Sequence, residues 1–304
     1  MDLFKSVAHY LKNTDLYLAV IAFICSGYGM ALIYSATLNP VSIKDDGSTK
    51  NLYVQGAAIL IGFGAFVLMS LIDLEGLRNR WKNFVIVNIC LQLLLFTPLG
   101  MEVNGRAWLN LGVTSLQPGE LGKLIFIFTM AAHISEVGEY ISELRGLAVI
   151  ALHTLIMMAA VVVSSGDSGM AIQYFMIAVI MLFAAGLSLK WIALGAGIAV
   201  ASVPVLWNFV LKKYQITRIL VLFDPSIDPQ AALQTTYGKI AIGSGQLTGQ
   251  GLTHGTMTQL QYVPENQTDY IFSVAGEELG FLGCMAIILL LSLLIARLFY
   301  VSYR

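Results

Sequence analysis

Apolar residues along this chain gather into eight long runs, separated by short polar segments. The runs are centred near residues 16–36, 53–71, 84–99, 119–134, 147–164, 170–186, 191–210 and 279–299. An α-helix needs about 20 predominantly apolar residues to cross a bilayer. The pattern therefore predicts an all-α polytopic membrane protein with about eight transmembrane helices.

The composition supports this fold class. Of the 304 residues, 57% are hydrophobic and only 12% are charged, whereas about 25% are charged in ordinary soluble domains. The formal net charge is −1, so we expect no nucleic-acid partner. The cysteines, Cys25, Cys90 and Cys284, lie inside apolar runs without the spacing of metal ligands, and we expect no metal there.

The distribution of basic residues predicts how the helices are oriented. With a cytoplasmic amino-terminal arm, the short cytoplasmic segments carry Lys5, Lys12, Arg78, Arg80, Lys82, Arg145, Lys190, Arg297 and Arg304, and the short outside loops carry Lys44, Lys50, Arg106 and Lys123. This asymmetry obeys the positive-inside rule, which discounts long loops. Residues 211–270, between the seventh and eighth predicted helices, then form a large extracytoplasmic loop.

A polar stretch at residues 239–283 interrupts the apolar pattern, and we expect the chemistry there. It holds five glycines within residues 243–255 and then a lone carboxylate, Asp269, before the last apolar run. Glycine permits positive φ and close backbone approach, so the cluster indicates a folded loop, with a flexible linker as the alternative. By itself, Asp269 is also typical of a helix cap.

A second pair of candidate groups lies at the start of the fourth apolar run. Glu120 and Lys123 are one helical turn apart on the same face, where they can form an ion pair. Ionisable groups in a spanning helix usually face a polar cavity or a partner. A structural ion pair near the membrane interface is the alternative.

The first part of the large loop predicts an amphipathic helix at the membrane surface. Apolar residues recur at helical spacing in residues 211–223, and Lys212, Lys213 and Arg218 form a basic edge. Anchoring to anionic headgroups is sufficient to explain Lys212 and Lys213. Since a structureless loop of about 60 residues would be unusual, we expect partial helix and re-entry into the membrane.

Three other ionisable residues are interpreted as structural. Asp167 lies in the Ser-Gly turn at residues 165–171 and is predicted to cap the following helix. His133 and His153 lie in or near apolar runs with no acid or second histidine at ligand spacing. Both are predicted to be hydrogen-bonded core histidines.

The motifs of the polar stretch resemble the SEDS family (shape, elongation, division and sporulation), the RodA and FtsW type proteins. In order they read IAIGSG, GxGL, GT, TQL, VPE, TDYIF and GEELGFLG. Tyr270 stands where the family has Phe, and Tyr237-Gly238 where it has Gln-Ser. The segment GSGQLTGQGL is more similar to the RodA type than to the FtsW type.

The resemblance extends to two earlier segments. Gln117, Pro118, Glu120 and Lys123 match the family's Q-P-S-E-x-x-K pattern, with Gly119 in place of the serine. Tyr214, Gln215, Arg218 and Ile219 match a Y-Q-x-x-R-I pattern. The resemblance therefore covers essentially all of the residues present.

The resemblance implies a peptidoglycan glycosyltransferase that polymerises lipid II on the outer face of the bacterial cytoplasmic membrane, for cell elongation or division. Asp269 matches the family's catalytic aspartate and is predicted to be the general base that acts on the acceptor hydroxyl. We expect it to be partly buried against residues 270–272. A base of this kind has to lie at a water boundary near the membrane, because the lipid tails stay in the bilayer.

Four further residues are predicted to bind the substrate. Lys123 and Arg218 are candidates to bind the departing pyrophosphate, and Glu120 would orient Lys123. Gln259 is predicted to bind sugar hydroxyls. No cofactor is expected, and a divalent cation is left open.

The resemblance also implies a class B penicillin-binding protein as the partner that supplies the transpeptidase. The family usually has ten spanning helices, so residues 1–304 are interpreted as a single SEDS-type transmembrane domain that is incomplete at its carboxyl end. Two alternatives stay open. One is a lipid II flippase or transporter, although no inverted repeat is visible, and the other is a truncated, catalytically silent scaffold for the partner.

Overall fold

The computed structural model describes residues 15–38, 47–101, 108–112, 115–205, 207–208, 211 and 213–303. The chain divides into two compact units, the first formed by Met1–Leu71 with Leu211–Arg304 and the second by Ile72–Val210. Several basic residues of the charge pattern lie outside the described residues: Lys5, Lys12, Lys44, Arg106, Lys212 and Arg304.

The described residues form α-helices and one small sheet. In chain order the helices are α1 (Leu16–Thr37), α2 (Gly47–Leu71), α3 (Leu74–Arg78), α4 (Trp81–Leu93), α5 (Pro118–Val137), α6 (Leu144–Ser165), α7 (Ser168–Ala184), α8 (Leu189–Val205), α9 (Lys213–Val221), α10 (Pro229–Ser244), α11 (Thr256–Gln259) and α12 (Ile271–Tyr303). Short 3-10 turns follow α4 at Leu94–Phe96 and α5 at Gly138–Ser142.

Five helical segments are long and apolar enough to cross a membrane. They are Leu16–Thr37, Lys50–Leu71, Pro118–Ser142, Leu144–Ser165 and Ile271–Tyr303. The remaining three predicted runs coincide with the shorter apolar helices Trp81–Phe96, Ser168–Ala184 and Leu189–Pro204. The prediction of an all-α polytopic membrane protein is therefore confirmed. That the shorter three also span stays a prediction.

One predicted helix boundary is wrong, and another lies partly outside the described residues. The seventh apolar run was expected to continue to residue 210; α8 occupies Leu189–Val205 and residues 207–208 are π-helical, so the end of this run stays a prediction. The last run was expected to begin near residue 279, but α12 begins at Ile271. Its first eight residues include two carboxylates, which made this segment polar in the sequence.

The second unit has a core of α-helices packed side by side. Phe126 and Met130 of α5, Ile150 and Met157 of α6, and Tyr174 of α7 are completely buried in one cluster. A three-stranded antiparallel sheet precedes α5, with strands β1 (Gly100–Met101), β2 (Trp108–Asn110) and β3 (Ser115–Leu116) in that order. The periodicity of the sequence did not predict this sheet.

The two core histidines of the second unit contact each other. His133 on α5 and His153 on α6 are both buried, and their Nδ1 atoms are 3.1 Å apart. The indole of Trp81 stacks on His133 at 4.4 Å between ring centroids. The prediction of hydrogen-bonded core histidines is confirmed, and the two histidines meet across two helices although they are 20 residues apart in the sequence.

In the first unit, α1 packs along α12. Leu32 and Ala36 of α1 are buried against Val274 and Ala275 of α12. Near the other end of α1, Asp15 accepts a hydrogen bond from the Leu18 amide and caps the helix.

An ion pair fastens the same two helices at the capped end of α1. The Asp15 carboxylate lies 2.6 Å from the Arg297 guanidinium of α12. The guanidinium also lies over the rings of Tyr17 and Tyr300. Apolar packing and this ion pair therefore hold α1 against α12 over much of its length.

The large loop predicted at residues 211–270 contains three helices, α9, α10 and α11. The prediction of a helix in residues 211–223 is confirmed, since α9 occupies Lys213–Val221. Asp228 accepts hydrogen bonds from the amides of Gln230 and Ala231 and caps α10 ahead of Pro229. The membrane-surface position of α9 and the re-entry of the loop stay predictions.

Candidate functional site

The glycine-rich loop is built around a break in α12 at Gly280, whose φ of 69° and ψ of −164° are not helical. A break in a helix frees backbone groups, which must find other partners in a spanning segment. The loop supplies them: the amides of Gln250 and Gly251 donate to the carbonyls of Glu277 and Glu278, each at 2.9 Å.

On the other side of the break the direction of the hydrogen bonds reverses. The amide of Phe281 donates to the Gln246 carbonyl at 2.8 Å, and the amide of Leu282 donates to the Leu247 carbonyl at 3.2 Å. The loop thus caps both halves of α12 with backbone groups. The interpretation as a folded loop is confirmed, and the flexible-linker alternative is wrong.

Two adjacent carboxylates of α12, neither of which was predicted to have a role, hold the rest of the loop by hydrogen bonds. Glu277 and Glu278 are completely buried. Glu277 accepts from the amides of Met257 and Thr258 at 2.7 and 2.9 Å, and from the Thr258 hydroxyl at 2.7 Å. Among the described residues neither carboxylate forms an ion pair, so hydrogen bonds satisfy them there.

Glu278 ties the loop to α1. It accepts hydrogen bonds from the Ser35 hydroxyl of α1 and from the Thr253 amide. Gln259 joins the same network, because its amide nitrogen donates to the Ser35 carbonyl at 3.1 Å and to Glu278 at 3.3 Å. The structure therefore places Gln259 in an internal polar network, and its role in binding sugar hydroxyls stays a prediction.

Asp269 lies in a different part of the first unit, at a cavity of about 790 Å³. The cavity is also lined by Tyr270, the next residue, and by side chains of α9 and α10, among them Arg218, Gln234, Thr235 and Lys239. Arg218 and Asp269 are thus brought together as the sequence predicted, whereas Gln259 does not line this cavity.

The carboxylate of Asp269 is available to a ligand. The residue is exposed, so the expected partial burial against residues 270–272 is wrong: the turn ahead of α12 presents the side chain to the cavity. The carboxylate accepts no hydrogen bond from the residues that the structure describes. The alternative of a helix cap is therefore not what this aspartate does.

Tyr270 fixes the wall of the cavity beside Asp269. Its ring lies against Gly238 of α10, where an added Cβ would come within 3.1 Å of the ring. Its hydroxyl is 3.4 Å from the Thr235 hydroxyl, one turn earlier on the same helix. Two of the departures from the family pattern, Tyr270 and Gly238, therefore contact each other.

The turn between α9 and α10 holds Asp224 in a local hydrogen-bonded structure. Its carboxylate accepts from the hydroxyl and the amide of Ser226, at 2.6 and 2.9 Å. These hydrogen bonds, the hydroxyl first, hold the pKa of Asp224 below its usual range. Asp224 is thus used within the turn and is not one of the cavity residues.

In the second unit, Glu120 and Lys123 form the predicted ion pair. The Lys123 ammonium lies 2.9 Å from one Glu120 oxygen and donates to Gln173 of α7 at 2.6 Å. Lys123 is largely buried, with 19% of its side chain exposed, whereas 54% of the Glu120 side chain is exposed. The predicted ion pair of Glu120 and Lys123 is therefore confirmed. The role of either residue in binding substrate stays a prediction.

Asp167 caps α7 as predicted. Its carboxylate accepts from the Met170 amide at 2.9 Å and from the Gln117 side chain at 3.4 Å. The beginnings of α5 and α7 are therefore linked through Gln117 and Asp167, as well as through Lys123 and Gln173.

Among the described residues, no group of three or more His, Cys, Asp or Glu side chains is placed to hold a metal ion.

Comparisons with known proteins agree on one family. The model of the FtsW, RodA and SpoVE family, described as cell cycle protein, matches residues 15–304. The peptidoglycan glycosyltransferase MrdB of Escherichia coli (strain K12) is 33% identical over 278 residues, covering 90% of this chain and 73% of the relative. The probable peptidoglycan glycosyltransferase FtsW of Geobacter sp. (strain M18) is 31% identical over 294 residues, covering 94% and 78%.

Solved structures with the same fold are also found. One is a chain from a study of the structural coordination of polymerization and crosslinking by a peptidoglycan synthase complex, with a TM-score of 0.74, 26% identity, and coverage of 96% of this chain and 79% of that chain. Another is the rod shape determining protein RodA of Thermus thermophilus, with a TM-score of 0.62, 23% identity, and coverage of 96% and 76%. The latter likeness shows the fold alone.

Proposed function

Because the chain belongs to the FtsW, RodA and SpoVE family of cell cycle proteins, we propose that it is a peptidoglycan glycosyltransferase that polymerises lipid II into glycan strands. It is a multi-pass membrane protein. We place its site on the outer face of the bacterial cytoplasmic membrane, where it would serve cell elongation or division. The positive-inside asymmetry of the sequence supports this orientation.

The observation that carries the proposal is the exposed carboxylate of Asp269, which accepts no hydrogen bond from the described residues and lies in a cavity that also presents Arg218. In glycosyl transfer, the acceptor hydroxyl attacks the anomeric carbon as a base takes its proton, and the bond to the pyrophosphate breaks with its electron pair on the phosphate oxygen. Asp269 is proposed as that base. Arg218 is proposed to stabilise the negative charge on the leaving pyrophosphate.

Lys123 and Glu120 stay proposed substrate-binding residues of the second unit. The ion pair with Glu120 and the hydrogen bond to Gln173 hold the Lys123 ammonium in one position. Such a preorganised cation is suited to a phosphate group, because it loses little freedom on binding.

We further propose a class B penicillin-binding protein as partner, which the similarity to a chain of a peptidoglycan synthase complex supports.

One feature invites comparison with transporters, whose substrate and ion sites often lie at broken helices with free backbone groups. The helix α12 is broken at Gly280. Here, however, the carbonyls of Glu277 and Glu278 and the amides of Phe281 and Leu282 are all bonded to the loop. These backbone groups at the break are therefore not free to bind a transported substrate or ion. This favours the glycosyltransferase hypothesis over the lipid II flippase hypothesis.

The test is polymerisation of fluorescent lipid II by the purified chain with a class B partner, read as glycan strands on a gel. Wild type is expected to form polymer and Asp269→Asn none. Glu139→Gln is the control, because Glu139 is also an exposed acid and lies outside the cavity. Polymer from Asp269→Asn at the wild-type rate would remove Asp269 as the base. If the wild type forms no polymer but transports lipid II across a vesicle membrane, the proposed glycosyltransferase activity is contradicted and the flippase alternative is supported.

A further inference from the structure

One face of α10 forms a wall of the Asp269 cavity. Ala231, Thr235 and Lys239 all line it, and they are spaced by four residues. Residues four apart lie on the same side of an α-helix, about one turn from each other. The side chain of Lys239 therefore belongs to the helix face that meets the cavity, rather than to the face turned away from it.

Lys239 is exposed and carries no hydrogen bond or ion pair with the residues that the structure describes. By contrast, Lys82, Lys123 and Arg297 are each paired with a carboxylate. The Lys239 ammonium is thus not neutralised by any carboxylate of the described residues. Its charge is therefore free to act on an anion that enters the cavity.

Tyr270 holds the backbone that carries Lys239 close to the backbone that carries Asp269. The ring of Tyr270 lies against Gly238, the residue before Lys239, and its hydroxyl meets Thr235, one turn earlier. Asp269 is the residue before Tyr270. One aromatic contact thus ties the turn that carries the proposed base to the turn that carries the ammonium, and both groups line the same cavity without forming an ion pair.

Resting on the proposed function, we infer that Lys239 binds the pyrophosphate of the lipid-linked sugar donor and stabilises it as the leaving group. As the glycosidic bond to the phosphate oxygen breaks, the electron pair remains on that oxygen and raises its negative charge. The ammonium lies where that charge develops, while Asp269 takes the proton from the acceptor. A lysine suits this task because it offers a compact charge and three rotatable donors.

The inference is tested by comparing Lys239→Gln with Lys213→Gln and Lys239→Arg in the full chain with its partner. Lys213 is a matched control, because it is an exposed lysine at the start of α9 that does not line the cavity. Lys239→Gln is expected to lower kcat for lipid II polymerisation by about 100-fold. Lys239→Arg should recover most of that loss, and Lys213→Gln should stay within about twofold of the wild type, since surface charges act weakly.

A second measurement, binding of undecaprenyl pyrophosphate and of undecaprenyl monophosphate, separates this inference from the proposed function. Wild type is expected to prefer the pyrophosphate, and Lys239→Gln is expected to lose that preference by at least about tenfold. If the wild type binds the pyrophosphate but forms no polymer, the proposed function fails and the lysine site stands. If Lys239→Gln binds and polymerises as the wild type does, the inference is overturned while the function stands.

Discussion

Gly280 lies against the backbone of Gly249, and both residues have positive φ, at 69° and 80°. An added Cβ at Gly280 would overlap the Gly249 amide nitrogen, and one at Gly249 would overlap the Glu278 carbonyl. The broken helix and the loop that caps it therefore fit only because neither residue has a side chain. Positive φ at both positions adds backbone strain for any other residue.

Replacement of Gly280 by alanine is expected to destabilise the first unit by at least about 2 kcal/mol, because strain and overlap act together. The measurement is the thermal unfolding temperature of the purified protein in detergent. Gly243→Ala is the control, since a Cβ there meets nothing within 4 Å and the residue lies in α10. Equal unfolding temperatures for Gly280→Ala and the wild type would show that the loop tolerates a different path.

The buried carboxylate of Glu277 yields a second prediction. Glu277→Gln places an amide nitrogen among three donors, two backbone amides and the Thr258 hydroxyl. We expect a loss of about 1–3 kcal/mol in stability, because at least one buried donor is left without an acceptor. Chemical unfolding in detergent measures the loss, with the exposed Glu139→Gln as the control. A stability unchanged from the wild type would show that the loop satisfies these three donors without the carboxylate.

The ion pair of Glu120 and Lys123 separates stability from activity. Since 54% of the Glu120 side chain is exposed, the pair should contribute less than about 1 kcal/mol to stability in a double-mutant cycle. Lys123→Gln should nevertheless reduce lipid II polymerisation at least about tenfold if the ammonium binds a phosphate. Activity that falls only in proportion to the folded fraction would identify a purely structural pair.

The contact between Asp15 and Arg297 predicts a pH dependence of stability. Hydrogen bonds from Arg297, and then from the Leu18 amide, hold the pKa of Asp15 below its usual range. A lowered native pKa contributes stability above the unfolded value of about 3.9, and this stability is lost as pH falls through the native value. Asp15→Asn keeps a capping oxygen, so it removes mainly the charge.

The predicted pH dependence is tested by measuring the thermal unfolding temperatures of the wild type and of Asp15→Asn over a range of pH. The wild type should unfold at the higher temperature at neutral pH, and the difference should shrink below about pH 4. A difference of constant size over the whole range would show that the carboxylate charge is not its source.

The sequence predicted the helices better than the contacts among them. Runs of about 20 apolar residues identify spanning helices because the bilayer demands that length. The start of α12 was missed because Glu277 and Glu278 look polar locally, and only their distant partners, Ser35 and Thr258, make them core residues. His133 and His153 meet from different helices for the same reason.

The candidate site was predictable to a similar extent. The order of motifs identified Asp269, and helical spacing identified the Glu120 and Lys123 pair. No local pattern indicated that Lys239 lines the Asp269 cavity, because this depends on Tyr270 lying across Gly238. The exposure of Asp269 was likewise missed, since a neighbouring apolar run does not decide which way a turn residue faces.

The hydrogen bond from Ser35 to Glu278 joins residues 243 positions apart, and the pair of Asp15 and Arg297 joins residues 282 apart. At about 5–20 residues per second of translation, α1 leaves the ribosome tens of seconds before the residues that complete its packing. During that interval the Asp15 charge and the Ser35 hydroxyl are without these final partners. Helix α1 is therefore made early and completed late, and in a nascent chain stalled before Glu278 the face of α1 that packs against α12 would be uncovered.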